Sequence, residues 1–141
     1  MLDLVFQNLT TDKQFNENFF KKILEIAGGE LKLVNKNISV SLNLVGEGKI
    51  KELNKKHMNK NKVTDVLSFP MEESGDMGDI FICLPFAKKE AKSENVDIEN
   101  KLAQLTVHGF LHLAGYDHES SKQDAEKMFK LENKILDKLN G

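Results

Sequence analysis

The fold open to this chain is constrained most by one stretch, His108-Gly109-Phe110-Leu111-His112-Leu113-Ala114-Gly115-Tyr116-Asp117-His118. On a helix, His108 and His112 stand one turn apart and project their imidazoles from one face. Gly115 follows, the residue best suited to the left-handed conformation that stops a helix. Beyond that stop the chain can turn back and bring His118 toward the first two rings. The flanking residues Leu102, Leu105, Val107, Phe110, Leu111 and Leu113 are apolar enough to bury such a helix. Imidazoles left in a core without partners are costly to desolvate. Three neutral imidazoles converging on one point leave a tetrahedral position open. That arrangement suits a catalytic zinc site, because a structural site closes its shell with a fourth protein ligand. A lone histidine on an apolar helix is usually a packed or solvated residue. Of the four histidines here, however, only His57 lies outside this stretch.

At 141 residues the chain is long enough for a single domain, residues 1–141, with a proper core. No apolar run approaches the roughly 20 residues of a membrane span. Met1-Leu2-Asp3-Leu4 lacks the basic start and long apolar core of a signal peptide. The single cysteine, Cys83, cannot make an internal disulfide, which fits a reducing compartment, and the expected location is cytoplasmic. A net charge of −2 makes no global case for a nucleic-acid partner, so any such case must be local.

Leu2, Leu4 and Phe6 alternate with Asp3, Val5 and Gln7 as a short strand. Asp12 can cap the helix that follows, whose Phe15, Phe19, Ile23 and Ile26 recur at helical spacing until Gly28-Gly29 ends it. Residues 38–45 alternate as a half-buried strand, expected near an edge of the sheet. Ile50 and Leu53 mark a short helix ending near Met58. Thr64 to Pro70 predicts a loop running into a strand that Pro70 closes, and residues 71–78 predict a polar, acidic connection with Glu72, Glu73 and Asp76 at its surface. The run from Asp79 to Leu84 is apolar throughout, hence a central strand, with Cys83 a small core residue. Pro85 opens a helix over roughly 86–93, Asp97 is a cap for the main helix at about 98–114, and Ser120 with Gln123 makes a capping box for the last. Ala125, Met128, Phe129, Glu132, Ile135, Leu136 and Leu139 form that last helix's inward stripe. The order βαβαββααα predicts an α+β domain, a small mixed β-sheet with helices packed over it and a three-histidine metal site at the end of a buried helix.

Residues 49–62 carry six lysines (Lys49, Lys51, Lys55, Lys56, Lys60 and Lys62) against Glu52 alone, a local charge of +5. Such a segment can be a solvated face or the wall of a groove for a phosphate backbone. It has no interleaved aromatics, so base stacking on it is not expected.

Zinc held by three histidines lowers the pKa of its water from about 16 toward 7 and polarises carbonyl or phosphoryl oxygens, which points to hydrolysis of a peptide or a phosphodiester. An all-imidazole shell disfavours magnesium. The ligand spacing repeats HExxHxxGxxH of the metzincin proteases. Those enzymes place a general-base Glu directly after the first His, where this chain has Gly109. A helix-interior Gly costs about 1 kcal/mol relative to Ala, so packing or access to the site must favour it. Peptidase action is left without an evident base.

The eleven-residue stretch resembles, throughout its length, the H-G-x-L-H-L-x-G-Y-D-H signature of the YbeY family, bacterial metal-dependent endoribonucleases of ribosomal RNA maturation. Leu53-Asn54 followed by Thr64-Asp65-Val66-Leu67-Ser68-Phe69-Pro70, and then Gly78-Asp79-Ile80, match that family as well. The resemblance implies His108, His112 and His118 as ligands of one Zn2+ per chain. It also implies single-strand-specific endoribonuclease action in 3′-end maturation of small-subunit rRNA and in ribosome quality control, with ribosomal components as partners. The family usually carries an arginine at the position of Met58. A methionine cannot hold a phosphate, which leaves Lys55, Lys56 and Lys60 as candidates for substrate binding, as point charges without arginine's bidentate fork. His57, beside Met58, is expected at the surface or in a packing role. Two alternatives stand beside the nuclease: a metalloprotease, and a non-enzymatic ribosome-assembly factor with structural zinc in which Met58 marks lost catalysis. No residue is singled out as the general acid or base.

Overall fold

The computed structural model describes residues 2–33, 36–73, 75–117 and 119–141, with Glu72 described by its backbone alone. In chain order the elements are β1 (Leu2–Asn8), α1 (Glu17–Glu30), β2 (Ile38–Val45), α2 (Glu47–Met58), β3 (Val66–Glu73), β4 (Asp76–Cys83), α3 (Leu84–Glu94), α4 (Ile98–Leu113) and α5 (Lys122–Asn140). The strands form one sheet in the order β1-β2-β4-β3, parallel across its first three members and antiparallel at β3. The fold is therefore α+β with a small mixed sheet, as the element order predicts.

Side chains alternate across each strand, so the sheet has two faces with different covers. Leu4, Val40, Leu42, Leu44, Ile80 and Ile82 join a core with Phe20, Ile23 and Leu24 of α1 and Leu102, Val107, Phe110 and Leu111 of α4. Each such side chain taken from water contributes about 1.5–3 kcal/mol. On the other face Val45 and Cys83 meet Ile50 of α2 and Phe86 of α3 in a smaller cluster. Burial also pushes the Cys83 thiol up, in keeping with a core residue. α4 is the hub, packing against α1, α3, α5 and the strands β3 and β4.

Several local expectations need correction. β2 is an interior strand, paired on both sides, and not an edge strand. Its polar residues are held within the sheet: Asn43 Nδ2 donates to Ser41 Oγ at 2.9 Å and to the Ile80 carbonyl at 3.3 Å. β3 does not close at Pro70 but runs on to Glu73, because an edge strand tolerates a missing N–H and the register slips just beyond it. The acidic stretch 71–78 is accordingly mostly strand, with Glu73 opposite Asp76 and the reversal at Gly75, φ +85°. α1 is capped by Asn16, whose side chain accepts from Phe19 N, and it continues past Gly28-Gly29 to Glu30. Asp12 instead accepts from Gln14 N and pairs with Lys88. The cap of α5 is Ser121, accepting from Asp124 N, one residue beyond the predicted Ser120. Asp97 does sit at the N-cap of α4, but its side chain makes no capping bond. Phe129, predicted to face inward with Met128, is 64% exposed. No helix among the described residues is long and apolar enough to cross a membrane.

The backbone of β4 lies close against β3 at Gly78. Its φ is +126°, and a Cβ there would lie 2.2 Å from the Phe69 carbonyl oxygen. Gly78→Ala is expected to destabilise the protein by at least about 2 kcal/mol, from positive-φ strain and backbone displacement together. The drop in denaturant midpoint measures it, and an unchanged midpoint would show that the β3–β4 pairing absorbs the methyl group.

Candidate metal centre

The end of α4 is built as its sequence suggests. Gly115 adopts φ +100°, its N–H donates to the His112 carbonyl at 3.0 Å, and Tyr116 N–H donates to the Leu111 carbonyl at 3.0 Å. These paired bonds form a Schellman stop and satisfy carbonyls the helix would otherwise orphan. The last turn is thereby closed with His108 and His112 on one face. Their ring centroids are 4.7 Å apart with planes at 77°, and the two Nε2 atoms approach to 3.2 Å.

His108 is braced from behind. Its Nδ1 lies 2.6 Å from Glu132 Oε1, on α5, and the Glu132 side chain is only 14% exposed. With Nδ1 protonated and donating to this carboxylate, the Nε2 lone pair faces His112, as the outer partner of a metal-ligating histidine arranges it. Two nitrogens on a tetrahedral zinc ion, with bonds of about 2.0–2.1 Å, stand about 3.3 Å apart. The observed separation and the all-imidazole donors therefore fit such an ion. His118, the third predicted ligand, lies outside the described residues. Among the described residues no three His, Cys, Asp or Glu side chains are grouped to hold an ion.

The histidines line a cleft of about 370 Å³ shared with the segment between α2 and β3. Asn54 shapes this wall. It is 2% exposed. Its Nδ2 donates to the Lys62 carbonyl at 3.0 Å, and its own carbonyl accepts from Lys60 N at 3.2 Å. Asn59 in the left-handed region ends α2 and starts the turn. Lys60 and Lys62 are thus brought to the cleft together with Met58, Thr64, Asp65 and Ser68. Lys55 and Lys56 are exposed on α2 and do not line it. The His57 ring rests against Phe69, centroids 4.9 Å apart, the packing contact expected of it.

Two residues of the site escape sequence reasoning. Lys62 is one charge in a lysine-rich run until Asn54 pins the turn. Glu132 left a visible sign, a carboxylate inside an apolar stripe between the buried Met128 and Ile135, but only the packing of α5 on α4 gives it a partner. Gly109 also acquires a reason. A Cβ there would meet Ile80 Cγ2 at 2.9 Å and Ser68 Oγ at 3.1 Å, so α4 lies too close to the sheet for a side chain. A metzincin-type Glu has no room at this position.

A family profile described as Endoribonuclease YbeY matches residues 5–140. A relative called Endoribonuclease YbeY from Sulfurihydrogenibium sp. is 42% identical, covering 90% of this chain and 86% of the relative. One of the same name from Limosilactobacillus reuteri is 39% identical over 96% of both chains. The solution structure of a Thermotoga maritima protein superposes with a TM-score of 0.68 at 29% identity, covering 95% of this chain and 87% of that one.

Gly109→Ala gains helix propensity of about 1 kcal/mol yet must move the branched, fully buried Ile80, at about 1–3 kcal/mol. A net loss of stability is expected in thermal unfolding, and a variant more stable than wild type would show that α4 can lift from the sheet without penalty.

Proposed function

The chain belongs to the YbeY endoribonuclease family, and from that premise we propose a zinc-dependent, single-strand-specific endoribonuclease that acts in 3′-end maturation of small-subunit rRNA and in ribosome quality control. The observation that carries this reading is the pair of facing Nε2 atoms, 3.2 Å apart, in a cleft rimmed by Lys60 and Lys62. His108 and His112 would hold one ion per chain, with His118 as the proposed third ligand. When bound, the ion supplies Lewis-acid chemistry and makes water available as a nucleophile near neutral pH. Glu132 keeps the proton on His108 Nδ1, so that Nε2 stays a lone-pair donor. Lys60 and Lys62 draw a phosphodiester into the cleft, while Lys55 and Lys56, outside it, extend the positive edge along which a strand can run. Met58 lines the cleft but brings no charge, so lysines alone supply the positive charge of this wall. Ribosomal components are the proposed partners and the cytoplasm the proposed location. A metalloprotease is disfavoured because Gly109 leaves no room for a general base beside His108. An assembly factor without catalysis is the second reading, and Met58 is the residue that favours it.

His112→Ala should lose bound metal and cleavage of a labelled single-stranded RNA together, with its circular dichroism unchanged. RNA cut by the variant at the wild-type rate would overturn the reading, whereas zinc at one per chain without cleavage by the wild type would favour the assembly factor. Glu132→Ala is expected to weaken metal affinity about 10- to 100-fold in chelator competition. Unaltered affinity would mean that Glu132 supports the helix packing rather than the ligand.

A further inference from the structure

Behind the cleft lies a charged cluster for which the metal site has no use. Lys101, in the first turns of α4, is 6% exposed. Its Nζ stands 3.0 Å from Glu94 Oε2 and 3.6 Å from Glu90 Oε1, both on α3. Glu90 Oε1 is buried with no hydrogen-bond partner. Asp65 is a further neighbour of Glu90, with its carboxyl group within hydrogen-bonding range of it. Asp65 is held in place by its backbone: Cys83 N donates to its carbonyl at 2.8 Å, and its Oδ1 accepts from Val66 N at 2.7 Å. It also lines the cleft, together with His108 and Lys60.

Two carboxyl groups can hydrogen-bond to each other only with a proton between them. Charge count leads the same way, since the cluster sets one lysine, paired with Glu90 and Glu94, against three carboxyl groups. Burial, with Asp65 alongside, pushes Glu90 up to about 7, against the pull of Lys101 and with a smaller push from Glu94. Among the described residues, three charged groups face Glu90: Asp65 from the loop entering β3, Lys101 from α4 and Glu94 from its own helix.

Resting on the RNA reading above, we propose that Glu90 is a positioning residue for the substrate phosphate: by sharing one proton with Asp65 it holds this carboxyl pair at a single negative charge beside the cleft, and losing that proton weakens the hold on the strand. Below neutrality the pair carries one negative charge, and above it two. The second charge adds repulsion toward a phosphodiester in the cleft that Asp65 and Lys60 both line. Glu90→Gln removes the second ionisation around and above neutrality, because its amide donates to Asp65 in place of the shared proton.

The test is the affinity of the full, metal-retaining protein for a short labelled single-stranded RNA, read by fluorescence anisotropy from pH 6 to 8.5. Wild type should bind about three- to tenfold more weakly at the alkaline end. Other groups of the cleft titrate alike in both proteins, so the difference between wild type and Glu90→Gln is decisive, and the variant should lack this weakening. Glu94→Gln removes a charge that helps Glu90 retain its proton, so its weakening should begin at lower pH. It serves as the probe if Glu90→Gln does not fold. A Glu90→Gln variant that tracks wild type, or a Glu94→Gln profile that coincides with wild type, overturns the proposal and leaves the RNA reading standing. Failure of wild type to bind RNA at any pH overturns both.

Discussion

The closeness of α4 to the sheet is the constraint on which the rest depends. A row of paired residues crosses the strands, Phe6 opposite Leu42, Leu42 opposite Ile80, and Ile80 opposite Ser68. Phe6 stacks on Phe20 of α1 at one end of this row, with centroids 5.3 Å apart. At the other end Ile80 and Ser68 receive the bare backbone of Gly109. Because no side chain intervenes, the helix can settle on β3 and β4 with His108 and His112 beside the strand that carries Ser68. Replacing that contact with an ordinary side chain would move the imidazoles along with the helix. The residue that looks like a defect in a helix is thus the one that sets the depth of the site.

Orientation is then added from outside α4. Glu132 reaches His108 from α5, and Asn54 folds the turn that carries Lys60 and Lys62 toward the same cleft. Neither is a long-range field effect. The chain as a whole is slightly acidic, and Lys60 and Lys62 reach the cleft where two hydrogen bonds with Asn54 bend the backbone. The charged cluster of Asp65, Glu90, Glu94 and Lys101 links the same wall to α3 and α4 through Asp65, the member that lines the cleft.

Much of this is legible in the residues. The helix carrying His108 and His112, its stop at Gly115, the order of nine elements and the interior place of the strand at Ile80 can all be read from periodicity and turn chemistry. Alternation misplaces the strand at 38–45 because it reports only that one face is polar. Ser41 and Asn43 look solvated in sequence, whereas in the fold Asn43 is tied to a neighbouring strand. Pro70 misleads for a related reason: it forbids a hydrogen bond on one side, and an edge strand has a side without one. The helix starts at Asn16 and Ser121 are missed by a few residues because Asp12 and Ser120 are equally competent caps, and only the path of the chain chooses between them.

By itself, the sequence determined the local facts: which segments could be helix or strand, which faces were apolar, that two histidines shared a helix face and that the helix would end just after them. These follow from backbone sterics and side-chain periodicity, which act over a few residues. Tertiary structure alone decided that β2 lies inside the sheet, that Glu132 braces His108, that Lys62 joins Lys60 at the cleft while Lys55 and Lys56 stay outside it, and that Glu90 stands against Asp65. Each of these depends on how whole elements pack, and packing is set by the summed burial of distant side chains, which no local window of sequence contains.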